Sequence, residues 1–432
     1  FSLTYAQPHQ TPRETTNSSL ELKNPRNLIY FPTSDGRPNV VFAGTSSGEE
    51  PFTALNDRHR QFFDIPPSSS SEPRSFAVLG DTIYFFATTN INGATEELWA
   101  SWRLFPSRTA TMNVINPGGD SEGGFMIAFQ DSLYFAAQGS NNNVELWHSN
   151  GVRDGSGTTL AGNEINPTTS SFPEDLFGIM INGTKPMVFF SADETSGSAS
   201  GFASQNRELW VRDLDRGLNY QVQDINPGTL AGSDPRFFTA YSDRCFFIAN
   251  DGASFKLYRS DGTSGGTVAI TLPGGAIVDE NVAPVASGGR LYFAASDGSG
   301  NELWAYDFVT DQANRVANIN PGAANANPHN LTDVNGILYF AADSTGIGIE
   351  LFRSSGTSAS TYSIQDIGGI RSSNPSNITN VGGNVYFFSD DIGNGTGVLR
   401  FSDPAERSTV SFYSFDGNNG ASVGTFGQML AL

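Results

Sequence analysis

The sequence predicts an all-β fold: a single β-propeller of four-stranded antiparallel blades, eight in number, or seven if one terminal unit serves another purpose. Three observations carry this expectation. A short apolar run centred on Phe recurs at Phe42, Phe85, Phe135, Phe190, Phe247, Phe293, Phe340 and Phe387. The steps between these positions run from 43 to 57 residues, the spacing of propeller blades. Each run is followed, roughly ten to twenty residues later, by a motif of Glu-Leu-Trp type. With 47 Gly and 22 Pro in 432 residues, turns are frequent enough to punctuate many short strands.

The unit from Asn320 to Ile367 shows the order of elements. Asn320-Pro321-Gly322 makes the corner, with Pro fixing φ and Gly supplying a positive φ. His329 to Val334 forms a first strand, stopped at Asn335-Gly336, the strongest two-residue hairpin signal. Ile337 to Ala342 is apolar on both faces, as a strand packed between neighbouring sheets must be. A Gly-rich turn leads into Glu350-Leu351-Phe352-Arg353, and Tyr362 to Ile367 closes the unit. Asn-Pro-Gly corners recur at 116–118 and 226–228, with partial copies at Asn166-Pro167 and Pro273-Gly274. The Glu-Leu-Trp strand recurs at 97–99, 145–147, 208–210 and 302–304, and more loosely as Lys256-Leu257-Tyr258. The first and last units are the most degraded, with Glu50-Pro51-Phe52 and Val398-Leu399 in its place, as terminal repeats often are.

These boundaries divide the chain into a polar N-terminal arm (1–24), the propeller (25–416) and a C-terminal tail (417–432). The arm lacks an apolar period, and docking on a neighbouring subunit is expected to order it, which makes the protein a homo-oligomer. Ser2-Leu3-Thr4-Tyr5-Ala6 reads as the end of a secretion signal or of a processed precursor, so an extracellular or cell-surface location is expected.

Charge and composition exclude several functions. Acidic residues outnumber basic ones 44 to 24, for a net charge of −20, and only Lys23, Lys185 and Lys256 are lysines. Such a surface repels nucleic-acid and lipid phosphates and favours hard cations. No stretch approaches the 18 or so apolar residues of a membrane span. The one cysteine, Cys245, occupies a position where sister units carry Leu or Val, and reads as core.

The segments Lys256 to Thr267 and Glu302 to Asp307 resemble the Glu-Leu-Trp-x-x-Asp-Gly-Thr (hyalin-like) repeat family of secreted and surface proteins, many of them bacterial. The likeness spans nearly all of residues 25 to 415. It implies the propeller architecture and is nearly silent on activity, the family being known mainly as a structural repeat.

Catalysis finds little support in the residues. His9, His59, His148 and His329 are scattered without ligand spacing, and the two Gly-x-Ser-x-Gly matches at 44–48 and 262–266 lack the strand-to-helix setting of a nucleophile elbow. Calcium is the cofactor the turns suit. Asp213 and Asp215, Asp297 and Glu302, and Asp390 and Asp391 each sit in Gly- or Asn-rich hairpins whose oxygens can converge on a cation. The competing reading is that each Asp bonds its own turn and the repeated Glu satisfies strand-edge amides. Sequons stand at Asn17, Asn182, Asn330, Asn377 and Asn394, about the number chance gives so Asn- and Ser-rich a chain.

The function expected on these grounds is a non-enzymatic extracellular structural protein, a propeller building block of a surface layer or filament assembled through its arm. The alternative is a carbohydrate- or ligand-binding, lectin-like propeller, with Trp102 in an irregular stretch as a sugar platform.

Overall fold

In the computed structural model most of residues 74–390 are described in full, together with Arg400 and Ser402. The breaks fall at 81, 89–95, 102–109, 113–114, 118, 153–155, 194–205, 229–231, 370 and 381–382, and strands outside the full description are given as backbone. The expected N-terminal arm lies outside the described residues.

The strands pair into eight sheets in chain order, each with at least four strands, and helical structure among the described residues is limited to two short 3-10 turns. The fold is the expected all-β propeller. Sheets 2 to 8 begin at residues 74, 124, 174, 236, 277, 329 and 376, and sheet 1 spans 27–61. From sheet 2 to sheet 8 the innermost strands stand side by side, so each of these sheets packs against the next as propeller blades do. Gln428–Ala431, within the expected tail, pairs in parallel with Asn27–Pro32 and makes sheet 1 five-stranded. Trp102 ends the strand Ala94–Trp102, opposite Thr82 and Phe105, where the ladder to the fourth strand shifts register between Ala100 and Trp102.

The second strand of each sheet is the wall between blades. In Leu133 to Ala137, Val188 to Ala192, Cys245 to Ala249, Leu291 to Ala295 and Leu338 to Ala342 every residue is buried, on both faces. Phe135, Phe190, Phe247, Phe293 and Phe340 are fully enclosed. At about 25 cal/mol per Å² each ring contributes roughly 2–3 kcal/mol. Alternate residues serve opposite neighbours: Phe189, Leu209 and Val211 of sheet 4 pack with Cys245 and Phe247 of sheet 5, whereas Phe246 and Ile248 pack with Leu291 and Phe293 of sheet 6. Cys245 is thus core, and burial pushes its thiol well above the ordinary value.

Close packing also explains two glycines. A Cβ at Gly123 would lie 2.1 Å from the Phe86 ring, and one at Gly178 2.4 Å from Phe129. Each lets an innermost strand approach the ring of the sheet beside it.

The repeated Glu is a latch. Glu97, Glu145, Glu208, Glu302 and Glu350 are at most 2% exposed. Each accepts bonds from the backbone where the chain leaves its sheet for the next. Glu350 takes Ile367 N (3.1 Å), Gly368 N (3.0 Å), Ser373 N (3.1 Å) and the Ser373 hydroxyl (2.6 Å). Glu208 takes Ile225 N (2.9 Å), Ser233 N (2.9 Å) and the Ser233 hydroxyl (2.6 Å), and Glu145 takes Ile165 N, Asn166 N and the Ser171 hydroxyl. Four of the five bind a Ser hydroxyl at the entry of the next sheet; Ala326 holds that place after Glu302. Such saturation makes a buried carboxylate tolerable. Where Lys256 replaces the Glu, it pairs with Asp251 instead, and the corner that follows is the 3-10 turn Pro273–Gly275. Sheet 6 then opens irregularly, with the short strands Ile277–Val278 and Val285–Ser287 both on Arg290–Ser296.

Candidate functional site at the axial face

The latch Ser begins an entry motif that the sequence repeats as Ser-x-Pro: Ser171-Phe172-Pro173, Ser233-Asp234-Pro235 and Ser373-Asn374-Pro375, with Ala326-Asn327-Pro328 as a variant. The middle residue has positive φ in every copy: Phe172 44°, Asp234 49°, Asn327 44° and Asn374 47°. Three residues on, the second residue of the innermost strand is again left-handed: Asp175 53°, Phe237 59°, Asn330 54° and Asn377 50°. The strand ladder shifts register at each of these points. Such a bulge takes a residue out of the ladder and re-aims its side chain. The result is a set of equivalent positions where the innermost strands begin, at one end of the propeller axis.

Sheets 4 and 5 bring charge to these positions. Glu174 and Asp175 open the innermost strand Glu174–Ile181, and Asp234 and Arg236 flank the start of Arg236–Tyr241. Arg207, only 6% exposed, reaches in from the third strand of sheet 4. It donates to Phe172 O (2.9 Å) and to Ser191 O (3.3 Å) and Oγ (3.2 Å), and its Nη2 lies 3.5 Å from Glu174 Oε1. Arg236 pairs with Asp234 at 2.9 Å and lies over the Phe255 ring, 4.5 Å from its centroid. Both arginines are thus fixed by protein groups.

Asp175 is not. No hydrogen bond or ion pair reaches its carboxylate among the described residues, although the chain holds it half-buried and in a left-handed conformation. Burial, reinforced by the charges of Glu174 and Asp234, pushes it up to about 6 against the pull of Arg207 and Arg236. Burial likewise raises Glu174. Crowded carboxylates that resist ionisation gain most from an added positive charge.

The residues singled out from sequence are dispersed. Asp213, fully buried, lies 3.3 Å from Lys185 Nζ and 3.7 Å from Arg216 Nε, while Asp215 is exposed. Asp297 accepts from Ser299 N (3.0 Å) and pairs with Arg315 (3.3 Å), and Glu302 is a latch. Asp390 accepts from the Asn374 amide at 3.0 Å; the side chain of Asp391 lies outside the described residues. No group of three His, Cys, Asp or Glu suited to a metal occurs among the described residues. Of the carboxylates expected to bind calcium, Asp213, Asp297, Glu302 and Asp390 are paired with cations or bonded to groups of the protein's own turns and corners. Asn182 and Asn330 are exposed and Asn377 half-buried, whereas Asn17 and the Asn394 side chain lie outside the description.

A shallow cleft of about 270 Å³ between sheets 5 and 6 is lined by Arg259, Thr271, Pro273, Asp311 and Gln312. Arg259 there already bonds Asp311 (2.8 Å) and the Tyr306 hydroxyl (2.5 Å), so it offers a ligand less than the axial face does. Sequence reasoning missed Glu174, Asp175, Arg207, Asp234 and Arg236. The Ser-x-Pro repeat was the available signal.

No protein-family profile matches the sequence, and no curated protein does. Among solved structures, a puromycin hydrolase is similar at 12% identity over 79% of this chain and 53% of that one, with a TM-score of 0.42. A structure from a study of two prolyl endopeptidases is similar at 13% identity over 84% of this chain and 51% of that one, with a TM-score of 0.44. The chain spans about half the length of these structures. Both are named as hydrolytic enzymes, counter to the expectation of a non-enzymatic building block of a filament or layer. At such identities and TM-scores the likeness assigns this chain no activity.

Proposed function

We propose that this propeller is a recognition module whose axial face holds a cationic group of its ligand, an amine or guanidinium, between Asp175, Glu174 and Asp234. The observation that carries the reading is the Asp175 carboxylate, held by a bulge beside two further acids yet bonded to nothing among the described residues. The net charge of −20 draws such a ligand in from solution.

The test is calorimetric titration with a short lysine-containing peptide and its lysine-acetylated twin. The free amine should bind and the acetylated form should not. Asp175→Asn, a residue equally at home at positive φ, should weaken binding at least tenfold, about 1.4 kcal/mol. Affinity should also fall as pH drops through about 6, where Asp175 takes up its proton. Equal binding of both peptides, or an Asp175→Asn variant that binds like wild type, refutes the assignment. A second reading, proton transfer by Asp175, is favoured by that same raised value. It would show as turnover of a peptide or glycoside library that Asp175→Asn abolishes.

A further inference from the structure

We propose that Asn182 carries an N-linked glycan and that Asn330 and Asn377, which share its sequon, stay bare. Asn182-Gly183-Thr184 is the turn between Glu174–Ile181 and Lys185–Asp193. All three residues are exposed, and a Cβ on Gly183 would meet nothing within 4 Å, so the turn projects into open space. The Arg244 guanidinium of the neighbouring sheet bonds Asn182 Oδ1 and orients the amide. Neither Asn182 Nδ2 nor the Thr184 hydroxyl is engaged among the described residues. Both acceptor groups of the sequon are therefore presented to solvent.

The other two sequons are built into the seam between innermost strands. Asn330 Nδ2 donates to Pro375 O at 3.2 Å, and the Thr332 hydroxyl donates to Ile378 O at 2.8 Å, both across to sheet 8. A sugar on Asn330 would cost that bond and wedge between two sheets. Asn377 is half-buried at its bulge, and the Thr379 hydroxyl donates to Asn377 O at 2.9 Å. Sequons of the same Asn-x-Thr pattern thus differ in what the fold leaves free.

The transfer is balanced with a lipid-linked oligosaccharide diphosphate as donor. Asn182 Nδ2 forms a bond to the anomeric carbon, the bond from that carbon to the phosphate oxygen breaks, and the lipid diphosphate leaves with the electron pair while Nδ2 gives one proton to a base of the transferase. Asn182 follows the far end of the strand that begins at Glu174 and Asp175, about 25 Å away at 3.3 Å per residue. A glycan there leaves the axial acids uncovered.

The full chain is secreted from a glycosylating eukaryotic host and treated with peptide N-glycosidase in heavy-oxygen water, which marks each occupied Asn as a labelled aspartate for peptide mapping. The expected result is label at Asn182 and none at Asn330 or Asn377. Asn182→Gln, or Thr184→Ala should that variant fail to fold, should remove the label at 182 and leave the lysine-peptide affinity unchanged. An unlabelled Asn182, or label at Asn330 or Asn377, overturns the inference.

Discussion

Replacing Glu350 by Ala tests the latch most directly, because that carboxylate accepts four bonds at the passage from sheet 7 to sheet 8. The substitution orphans the Ile367 and Gly368 N–H groups, while the Ser373 N–H and hydroxyl keep Ile349 O as acceptor, in a site where Glu350 and Ser373 are fully buried. Each buried orphan costs roughly 1–3 kcal/mol, part of it recovered by local relaxation and water. Removing the desolvated carboxylate returns something as well, so a net loss of about 4 kcal/mol is reasonable, in the 3–5 kcal/mol range for breaking one side of a buried polar pair. Unfolding entropy of about 2.1 cal/mol/K per residue amounts to about 0.9 kcal/mol/K over the 432 residues. The melting temperature of Glu350→Ala should therefore fall by about 4–5 °C in scanning calorimetry, and that of Glu350→Gln, which keeps one carbonyl acceptor, by about half as much. A Glu350→Ala midpoint within about 1 °C of wild type would show that water replaces the carboxylate at no cost, and the latch argument would fall.

The latches also set a pH dependence. Burial pushes Glu97 and Glu145 up to about 7, above their unfolded value near 4.5, so their contribution is complete below about 4.5 and is lost as pH rises through 7. The wild-type midpoint should decline across that window, and Glu145→Gln should flatten the decline; a midpoint rising from pH 4.5 to 7 would reverse the sign. Gly178→Val should destabilise by roughly 1–3 kcal/mol through its clash with Phe129, read as a lower urea midpoint at an unchanged m-value. EDTA should leave the melt in place, whereas a calcium ion held at a hundred times its Kd would add about 2.7 kcal/mol, a difference of about 3 °C here. Cys245 should resist a thiol reagent until the protein unfolds, and rapid labelling of the native protein would contradict its complete burial.

The propeller was legible because its unit is written in apolar runs such as Leu291 to Ala295 and in hairpin signals such as Asn335-Gly336, both of which act over a few residues. The latch was half legible. That the repeated Glu satisfies backbone amides follows from its place at a strand edge, but its partners, Ile367 N, Gly368 N and Ser373, lie 17 to 23 residues away, across a corner whose path the sequence does not give. The carboxylates paired from sequence are separated in space for a related reason. Asp297 and Glu302 share a hairpin, yet the Asp is drawn to Ser299 N and Arg315 and the Glu to Ile319 N, so neighbours in sequence point to different partners.

By itself the sequence determined the all-β class, the repeating unit, the buried Phe walls and the acidic surface, since local periodicity and composition suffice for each. Tertiary structure alone decided which polar groups meet. Glu174 and Asp175 of one sheet come together with Asp234 and Arg236 of the next because two bulged strands start side by side at the axis, about sixty residues apart in the chain. The same packing spends the amide of Asn330 on Pro375 and leaves that of Asn182 in solvent. Such pairings depend on how one sheet stacks against another, a relation between distant segments that no local pattern encodes.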